Sequence, residues 1–100
     1  MLTNERKKQY RAIGHKLKPI VTIAGNGLSE GVMAELERAL TDHELIKVKL
    51  AIADRDSRAQ VVDEMCQSAH AEVVQSIGKI ILIYRAAKKP NPKLSNLLRQ

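Results

Sequence analysis

A glycine-rich bend followed by a helix start is the part of this sequence whose residue types could hold a ligand. The β-branched segment of residues 20–23 runs into Gly25, Asn26 and Gly27, and Ser29 follows as a helix N-cap. Glycines let the backbone bend sharply and let another chain come close. The first amides of a helix point outwards at its positive end. The chemistry indicated is binding of a phosphate by backbone amides.

The same bend also has a plainer interpretation. A tight strand-to-helix turn needs glycine without any ligand, and the carboxylate of Glu30 can satisfy the helix end. A nucleotide-binding loop is disfavoured because the Walker pattern requires Gly-Lys-Ser/Thr, whereas Leu28 separates Gly27 from Ser29 here. A dinucleotide-binding fingerprint requires a third glycine at a spacing that this run lacks.

Basic side chains are concentrated at the two ends of the chain. Residues 1–18 carry six Lys or Arg against one acid, a net of +5, and residues 86–100 carry four basic side chains and no acid. Residues 19–85 carry seven basic and ten acidic side chains, a net of −3, and the whole chain is at +6. This distribution predicts a polyanionic partner, with RNA favoured, although lysines that only aid solubility are an alternative. The predicted binding set comprises Arg6, Lys7, Lys8, Arg11, Lys16 and Lys18, extended by Lys47, Lys49, Lys79 and Arg85, together with Gly25, Asn26, Gly27 and Ser29 of the bend.

Catalysis, metals and cofactors have little support in the sequence. The three histidines are scattered, and Cys66 with His70 makes at most two ligands of a metal site. No Ser or Cys has the local context of a nucleophile. We therefore expect a protein that is not an enzyme, with no metal, no cofactor and no small-molecule substrate.

The expected compartment is the cytoplasm. A single cysteine excludes an intramolecular disulfide and fits a reducing environment. The first residues lack the apolar stretch of a signal peptide, and no apolar run approaches the length of a membrane span. We expect no membrane association and a monomeric protein.

Base stacking on a sheet is a weak prospect for this chain. Phe and Trp are absent, and the only aromatic residues are Tyr10 and Tyr84. RNA-binding sheets of the RRM type stack bases on several aromatic side chains. We therefore expect binding to depend on contacts with the nucleic-acid backbone and on shape.

The elements that must position these residues follow from hydrophobic periodicity and helix-capping signals. Helices are expected over about 4–17 with Thr3 as N-cap, from the Ser29 cap to about Thr41, and from the Asp56 cap to about His70. Strands are expected at 20–23, 45–51, 73–77 and 79–85, with Gly78-Lys79 as a two-residue hairpin turn. The order α-β-α-β-α-β-β predicts an α/β (α+β) fold with a mixed four-stranded sheet, packed by helices on at least one face. Residues 1–85 form the expected domain, and residues 86–100 are expected to be a basic, flexible tail.

Four segments carry a resemblance to a known family. They are His15-Lys-Leu-Lys-Pro19, Gly27-Leu-Ser-Glu-Gly31, His43-Glu-Leu-Ile-Lys-Val-Lys49, and Gly78-Lys79 with Tyr84-Arg85. On these residues, over about 2–85, the chain resembles the bacterial YhbY family, the single-domain form of the CRM domain (chloroplast RNA splicing and ribosome maturation).

The resemblance implies a fold, a partner and a role. The implied fold is a mixed four-stranded α/β domain similar to the C-terminal domain of translation initiation factor three. The implied function is RNA binding, with association with precursors of the large ribosomal subunit and a role in their assembly. The family's loop resembles the Gly-x-x-Gly loop of KH domains, and in this chain Ala24 stands at the first glycine position with Gly25 directly after it.

A protein-interaction module is the alternative function. Such a module would bind a ribosomal protein or a GTPase through its surface, without direct contact to RNA. Salt dependence separates the two, because phosphate binding by Lys and Arg weakens steeply as salt rises.

Overall fold

The order of elements is the predicted one over the residues that the computed structural model describes, 2–25 and 27–98. The helices are α1 (Asn4–Gly14), α2 (Glu30–His43) and α3 (Arg55–Ala69), and the strands are β1 (Pro19–Ile23), β2 (Leu45–Leu50), β3 (Glu72–Ile77) and β4 (Ile80–Tyr84). The predicted α-β-α-β-α-β-β succession and the mixed four-stranded sheet are confirmed.

The sheet has the strand order β1-β2-β4-β3. β1 and β2 are parallel, with α2 as their crossover, and the other two pairs are antiparallel. Ile23 therefore lies beside Leu50 where β1 and β2 end. The predicted Gly78-Lys79 turn lies at the same end, since the Leu50 amide donates to the Lys79 carbonyl at 2.7 Å. We call this the loop end of the sheet.

Side-chain oxygens fix the helix starts. Thr3 Oγ1 accepts from the Arg6 amide at 3.1 Å, and Ser29 Oγ accepts from the Val32 amide at 3.2 Å, so both predicted caps are confirmed. The prediction of Asp56 as the α3 cap is wrong, because Asp54 takes that position. Its carboxylate accepts from both the amide and the hydroxyl of Ser57, at 2.9 and 2.7 Å. These two bonds, the hydroxyl bond first, lower the pKa of Asp54.

One face of the sheet packs against α2 and α3. The alternate residues of β2, from Ile46 to Leu50, are fully buried there beside Leu36 of α2 and Met65 of α3. This face holds the larger of two apolar clusters and supplies most of the buried area that stabilises the fold.

The other face is covered by α1 over only part of its length. α1 begins at the β3 edge, where the Leu2 amide donates to the Glu72 carboxylate at 3.0 and 3.1 Å, and it leads into β1 at Pro19. Its 11 residues span about 16 Å, close to the ~14 Å width of four strands. Glu72 pairs with Tyr84 at the end opposite the loop end, so α1 crosses there.

Among the described residues no helix covers the part of this face nearer the loop end, and we call that part the open half. Thr22, Lys49, Ile80 and Ile77 form one row across its four strands. Thr22 and Lys49 are exposed, and Ile77 is 62% exposed. Lys49, a member of the predicted binding set, is therefore exposed on this face, whereas α1 buries the same side of β2 at Leu45.

The segment after Arg85 turns back and packs where α2 meets β2. Ser95 Oγ donates to the buried Glu44 carboxylate at 2.7 Å, and Asn96 Nδ2 donates to the Leu45 carbonyl at 2.6 Å. Leu97 packs against the cluster beneath α1. No periodic pattern in the sequence predicts these contacts. The division of the chain at residue 85 stays a prediction.

A glycine of α1 sits against the core and predicts a measurable stability change. A Cβ at Gly14 would lie 2.6 Å from Cδ2 of Leu82, which is 1% exposed and has little room to move. We expect Gly14→Ala to lower the free energy of unfolding by about 1–3 kcal/mol through overpacking. Urea unfolding followed by circular dichroism measures this.

Gly31→Ala is the matched control. A Cβ at Gly31 would meet only Ser29 Oγ, at 3.9 Å, so the change is expected to stabilise α2 by about 0.5–1 kcal/mol. Equal effects of the two substitutions would contradict the close packing of α1 on Leu82.

Candidate nucleic-acid interface

The glycine bend is a surface turn at the loop end. The Gly27 amide donates to the Ala24 carbonyl at 3.0 Å and closes the turn, and Gly27 has φ +80. That value lies in the left-handed region, which favours glycine. Gly25 is exposed and a Cβ there would meet nothing within 4 Å. Asn26, the remaining predicted residue of the bend, lies outside the described residues.

The start of α2 presents backbone donors next to this turn. Ser29 is exposed, and its side chain and carbonyl accept from the amides of Val32 and Met33. The amides of Glu30 and Gly31 precede the first intrahelical donor, the Met33 amide, and point out of the helix end. The site therefore has the donors that an anion requires, with the Glu30 carboxylate on the first turn opposing them.

Two of the predicted lysines lie at the loop end with the glycine bend. The Ala51 amide donates to the Ile23 carbonyl at 2.8 Å, and the Leu50 amide donates to the Lys79 carbonyl at 2.7 Å. These bonds join the ends of β1 and β2 to the hairpin turn. Lys49 is paired with Thr22 of β1, the strand that enters the bend, and Lys79 lies at the hairpin turn beside the end of β2; both lysines are exposed.

Three further predicted lysines line one cavity near the start of β1. The cavity has a volume of about 250 Å³ and is bordered by Lys16, Lys18 and Lys47, with His43 and Asn96 on its other wall. No carboxylate of the described residues lines it. The cavity is therefore a cationic recess at the C-terminal end of α1.

Together these lysines form a continuous stripe, which we call the lysine track. Lys47 and Lys49 lie on the same side of β2, two residues and about 7 Å apart, and connect the recess to the loop end. The track comprises Lys16, Lys18, Lys47, Lys49 and Lys79.

The track is not neutralised by nearby acids. Within the described part of the chain the two ion pairs are Lys7–Glu72 at 4.0 Å and Arg85–Glu37 at 2.7 Å, and neither includes a track lysine.

The basic residues of α1 lie away from the glycine bend. α1 crosses the sheet at the far end, so Arg6, Lys7, Lys8 and Arg11 are not brought to the loop end. Arg6 and Lys8 are exposed, Arg11 is half-buried, and Lys7 pairs weakly with Glu72. The predicted basic set is thus divided between the α1 surface and the lysine track.

Arg85 has a packing role that the sequence did not suggest. One guanidinium nitrogen donates to the Glu37 carboxylate at 2.7 Å and to the Ala69 carbonyl at 2.9 Å. The other donates to Thr41 Oγ1 at 3.1 Å and to the Glu37 carbonyl at 3.2 Å. These bonds tie the end of β4 to α2 and α3. We therefore leave Arg85 out of the candidate interface.

The two aromatic side chains pack against each other. The rings of Tyr10 and Tyr84 pack with centroids 5.0 Å apart, in the cluster beneath α1. Burial, and secondarily the Tyr10 hydroxyl, raises the pKa of Tyr84. The open half of the sheet therefore offers aliphatic and basic side chains and no aromatic platform.

Metal and nucleophile chemistry has no visible centre in the described residues. There, no three His, Cys, Asp or Glu side chains lie together as metal ligands. Burial, with a smaller contribution from Asp63, raises the pKa of Cys66 to about 11, so its thiol stays protonated at neutral pH. In the same ranges no helix has the length and apolarity to cross a bilayer.

Two arginines near the loop end are absent from the predicted set. Arg58 Nη1 donates to the carbonyls of Ile52 and Ala53, both at 2.8 Å, and Arg55 at the start of α3 is exposed. Both lie in the charge-balanced middle of the chain, and only the tertiary structure brings them to the hairpin turn.

Known proteins resemble this chain over nearly its whole length. The model of the CRS1 / YhbY (CRM) domain family matches residues 2–85. A probable RNA-binding protein of Pseudomonas aeruginosa is 60% identical, over 98% of this chain and 94% of that protein. An RNA-binding protein of Haemophilus influenzae is 41% identical, over 93% of this chain and 94% of that protein. The solution structure of a Staphylococcus aureus protein, described as a candidate RNA-binding protein, superposes with a TM-score of 0.77 at 31% identity, covering 89% of this chain and 93% of that one.

Proposed function

Since this chain belongs to the CRS1 / YhbY (CRM) domain family, we propose that it binds RNA and is not an enzyme. The observation that carries this proposal is the lysine track, whose five cations have no acidic partner within the described residues and end beside the glycine bend. The relatives named as RNA-binding proteins support the same partner.

The proposed mechanism is recognition of the RNA backbone. Phosphates lie along the open half of the sheet, where Lys47 and Lys49 point to the same side of β2. The Gly25 amide and the amides at the start of α2 receive a further phosphate at the loop end, while Gly27 shapes the turn through its bond to the Ala24 carbonyl. Lys and Arg contacts to phosphates fix the register of a nucleic acid and carry little sequence information. The exposed basic residues of α1 widen the contact at the other end of the track.

The proposed biological partner is ribosomal RNA in precursors of the large subunit, with the protein acting as a cytoplasmic monomer that assists assembly. The support for this finer proposal is the resemblance to the YhbY family in the four segments described above. The track suits such a partner because folded ribosomal RNA presents phosphates at many spacings.

Removing two track lysines is expected to reduce the salt dependence of RNA binding. Each phosphate contact to single-stranded RNA contributes about −0.7 to the slope of log affinity against log salt. Lys47→Gln with Lys49→Gln is therefore expected to reduce the magnitude of this slope by about 1.4. Fluorescence anisotropy with a short single-stranded RNA, between about 50 and 200 mM salt, measures it.

Arg38→Gln is the control, because Arg38 is exposed on α2, on the opposite face of the sheet. Its slope is expected to match that of the wild type. A wild-type affinity that hardly changes with salt would favour the alternative, a protein-interaction module without direct RNA contact.

The glycine bend is tested at Gly25, where a side chain has room and the backbone φ is not positive. Gly25→Asp adds a negative charge, and Gly25→Asn adds nearly the same shape without the charge. We expect the Asp variant to bind the short RNA about tenfold more weakly than the Asn variant, because its carboxylate repels the phosphate that the bend is proposed to bind. Identical affinities for the two folded variants would remove the bend from the interface.

The ribosomal partner is tested by cross-linking in cells. Ultraviolet cross-linking of the tagged protein, followed by sequencing of the attached RNA, is expected to enrich segments of large-subunit ribosomal RNA and their unprocessed precursors. The double variant Lys47→Gln, Lys49→Gln, expressed to the same level, is the control and should recover less of them. Enrichment of other RNA classes would leave RNA binding in place and reject the ribosomal assignment.

A further inference from the structure

A groove lies between the first half of α3 and the β3–β4 hairpin, outside the lysine track. It has a volume of about 510 Å³, within the range of about 300–1,000 Å³ typical of small-molecule pockets. It is lined by apolar and polar side chains, among them Arg55, Arg58, Ala59, Val62, Ser76 and Ile81.

The groove is open because α3 turns small residues towards the edge of the sheet. The periodicity of the sequence gives α3 an apolar stripe that includes Ala59 and Val62, yet Ala59 is exposed and Val62 is half-buried. Met65, one turn further, is fully buried. Opposite the stripe, Ser76 pairs with Ile81 and projects from the edge strand β3 on the same face. Short side chains on both walls leave the space between them unfilled.

The rim of the groove carries a fixed guanidinium. Two bonds from Arg58 Nη1 to the carbonyls of Ile52 and Ala53, both 2.8 Å, hold its plane. A guanidinium held flat in this way can stack on a nucleobase. Arg55 has no ion pair in the described structure, and the Ser76 hydroxyl and Asp63 carboxylate supply groups for the edge of a base.

The groove and the lysine track meet at the hairpin turn. Gly78 lines the groove, and the next residue, Lys79, is the last lysine of the track. The two sites lie on opposite faces of the sheet, because Ser76 and Ile81 face α3 while Ile77 and Ile80 face the open half. A strand that follows the track to Lys79 therefore reaches the groove by passing round the turn.

We propose that this groove binds one nucleobase of the RNA whose backbone follows the lysine track. This inference rests on the proposed function and deepens it, since it places base recognition on a surface separate from the phosphate contacts. A base is the occupant that fits, because the groove adjoins the end of the track at the hairpin turn and its lining holds two arginines against one aspartate. The site gives the interface a preference among bases that lysines alone do not provide.

Amide chemical shifts test the site with small probes. The four nucleoside 5′-monophosphates are titrated separately into the ¹⁵N-labelled full chain, with ribose 5-phosphate as the probe that lacks a base. At least one nucleotide is expected to shift the amides of Ala59, Ser76 and Gly78, and ribose 5-phosphate is expected to leave them unchanged. Equal shifts from ribose 5-phosphate, or no shift from any nucleotide, would overturn the inference.

A groove-filling substitution provides the second test. Ala59→Leu adds bulk inside the groove, and Ala34→Leu adds the same bulk to another exposed helical alanine on α2. A leucine side chain occupies the space that the base needs, so Ala59→Leu is expected to weaken binding of the preferred nucleotide by at least about fivefold. Ala34→Leu is expected to bind as the wild type does.

The same variants separate the two proposals. On short homopolymeric RNAs, Ala59→Leu is expected to reduce the differences in affinity among bases and to keep the salt slope of the wild type. An unchanged base preference in Ala59→Leu, with a salt slope that still depends on Lys47 and Lys49, would reject the groove and leave RNA binding intact. A wild-type chain without affinity for any RNA would reject both proposals.

Discussion

The register of β2 determines both the core and the candidate interface. β2 is a central strand, and its residues alternate between two environments: Ile46, Val48 and Leu50 face α2 and α3, while Lys47 and Lys49 face the other way. A slip of one residue would turn the lysines into the apolar core and the aliphatic side chains into water. The cost of burying two unpaired ammonium groups excludes that register. The same alternation that packs the core therefore also places the lysine track.

The length and position of α1 set how much of this second face stays open. α1 is anchored at β3 through Glu72 and leads directly into β1, so it must cross the sheet at the end opposite the glycine bend. Gly14 lets it lie close to Leu82. A helix of 11 residues crosses the four strands once, so it covers only one end of this face. The open half of the sheet is thus a consequence of how the chain enters its first strand.

Local signals in the sequence were sufficient for most of the elements and for half of the candidate site. Hydrophobic alternation identified β2 with its lysine side, capping residues identified the starts of α1 and α2, and Gly78 identified the hairpin turn. Each of these depends on neighbours within a few residues.

Long-range contacts account for what the sequence could not predict. The guanidinium of Arg85 has the chemistry of a phosphate ligand. Only the folded chain shows that it donates hydrogen bonds to Glu37 and Ala69 instead. The start of α3 was misplaced because two aspartates can cap it, and the two hydrogen bonds that Ser57 donates select Asp54. The groove exists because the start of α3 and the end of β3 both carry small residues where they meet, and no local pattern shows that these two segments face each other.

Glu44 shows how the C-terminal segment becomes part of the candidate interface. It ends α2 with a φ of 62°, a conformation that L-residues rarely adopt. Its carboxylate accepts from the Ala87 amide at 2.9 Å and from Ser95 Oγ at 2.7 Å, and its carbonyl accepts from the Arg85 amide at 2.9 Å. These bonds offset the strain and hold the segment in place. Asn96 is thereby set into the wall of the cationic recess.

The arrangement separates the two requirements of RNA recognition in space. Attraction to phosphates needs exposed cations on an accessible surface, and the open half of the sheet meets that need without aromatic side chains. Discrimination among bases needs a surface that a base can stack on and fixed polar groups at its edge, and the open half of this sheet has no aromatic platform for it. Between α3 and the edge strand such a space exists, next to the turn where the track ends. A base bound there would be read by a guanidinium whose position is set by backbone carbonyls, so the preference would depend on the start of α3 rather than on the sheet.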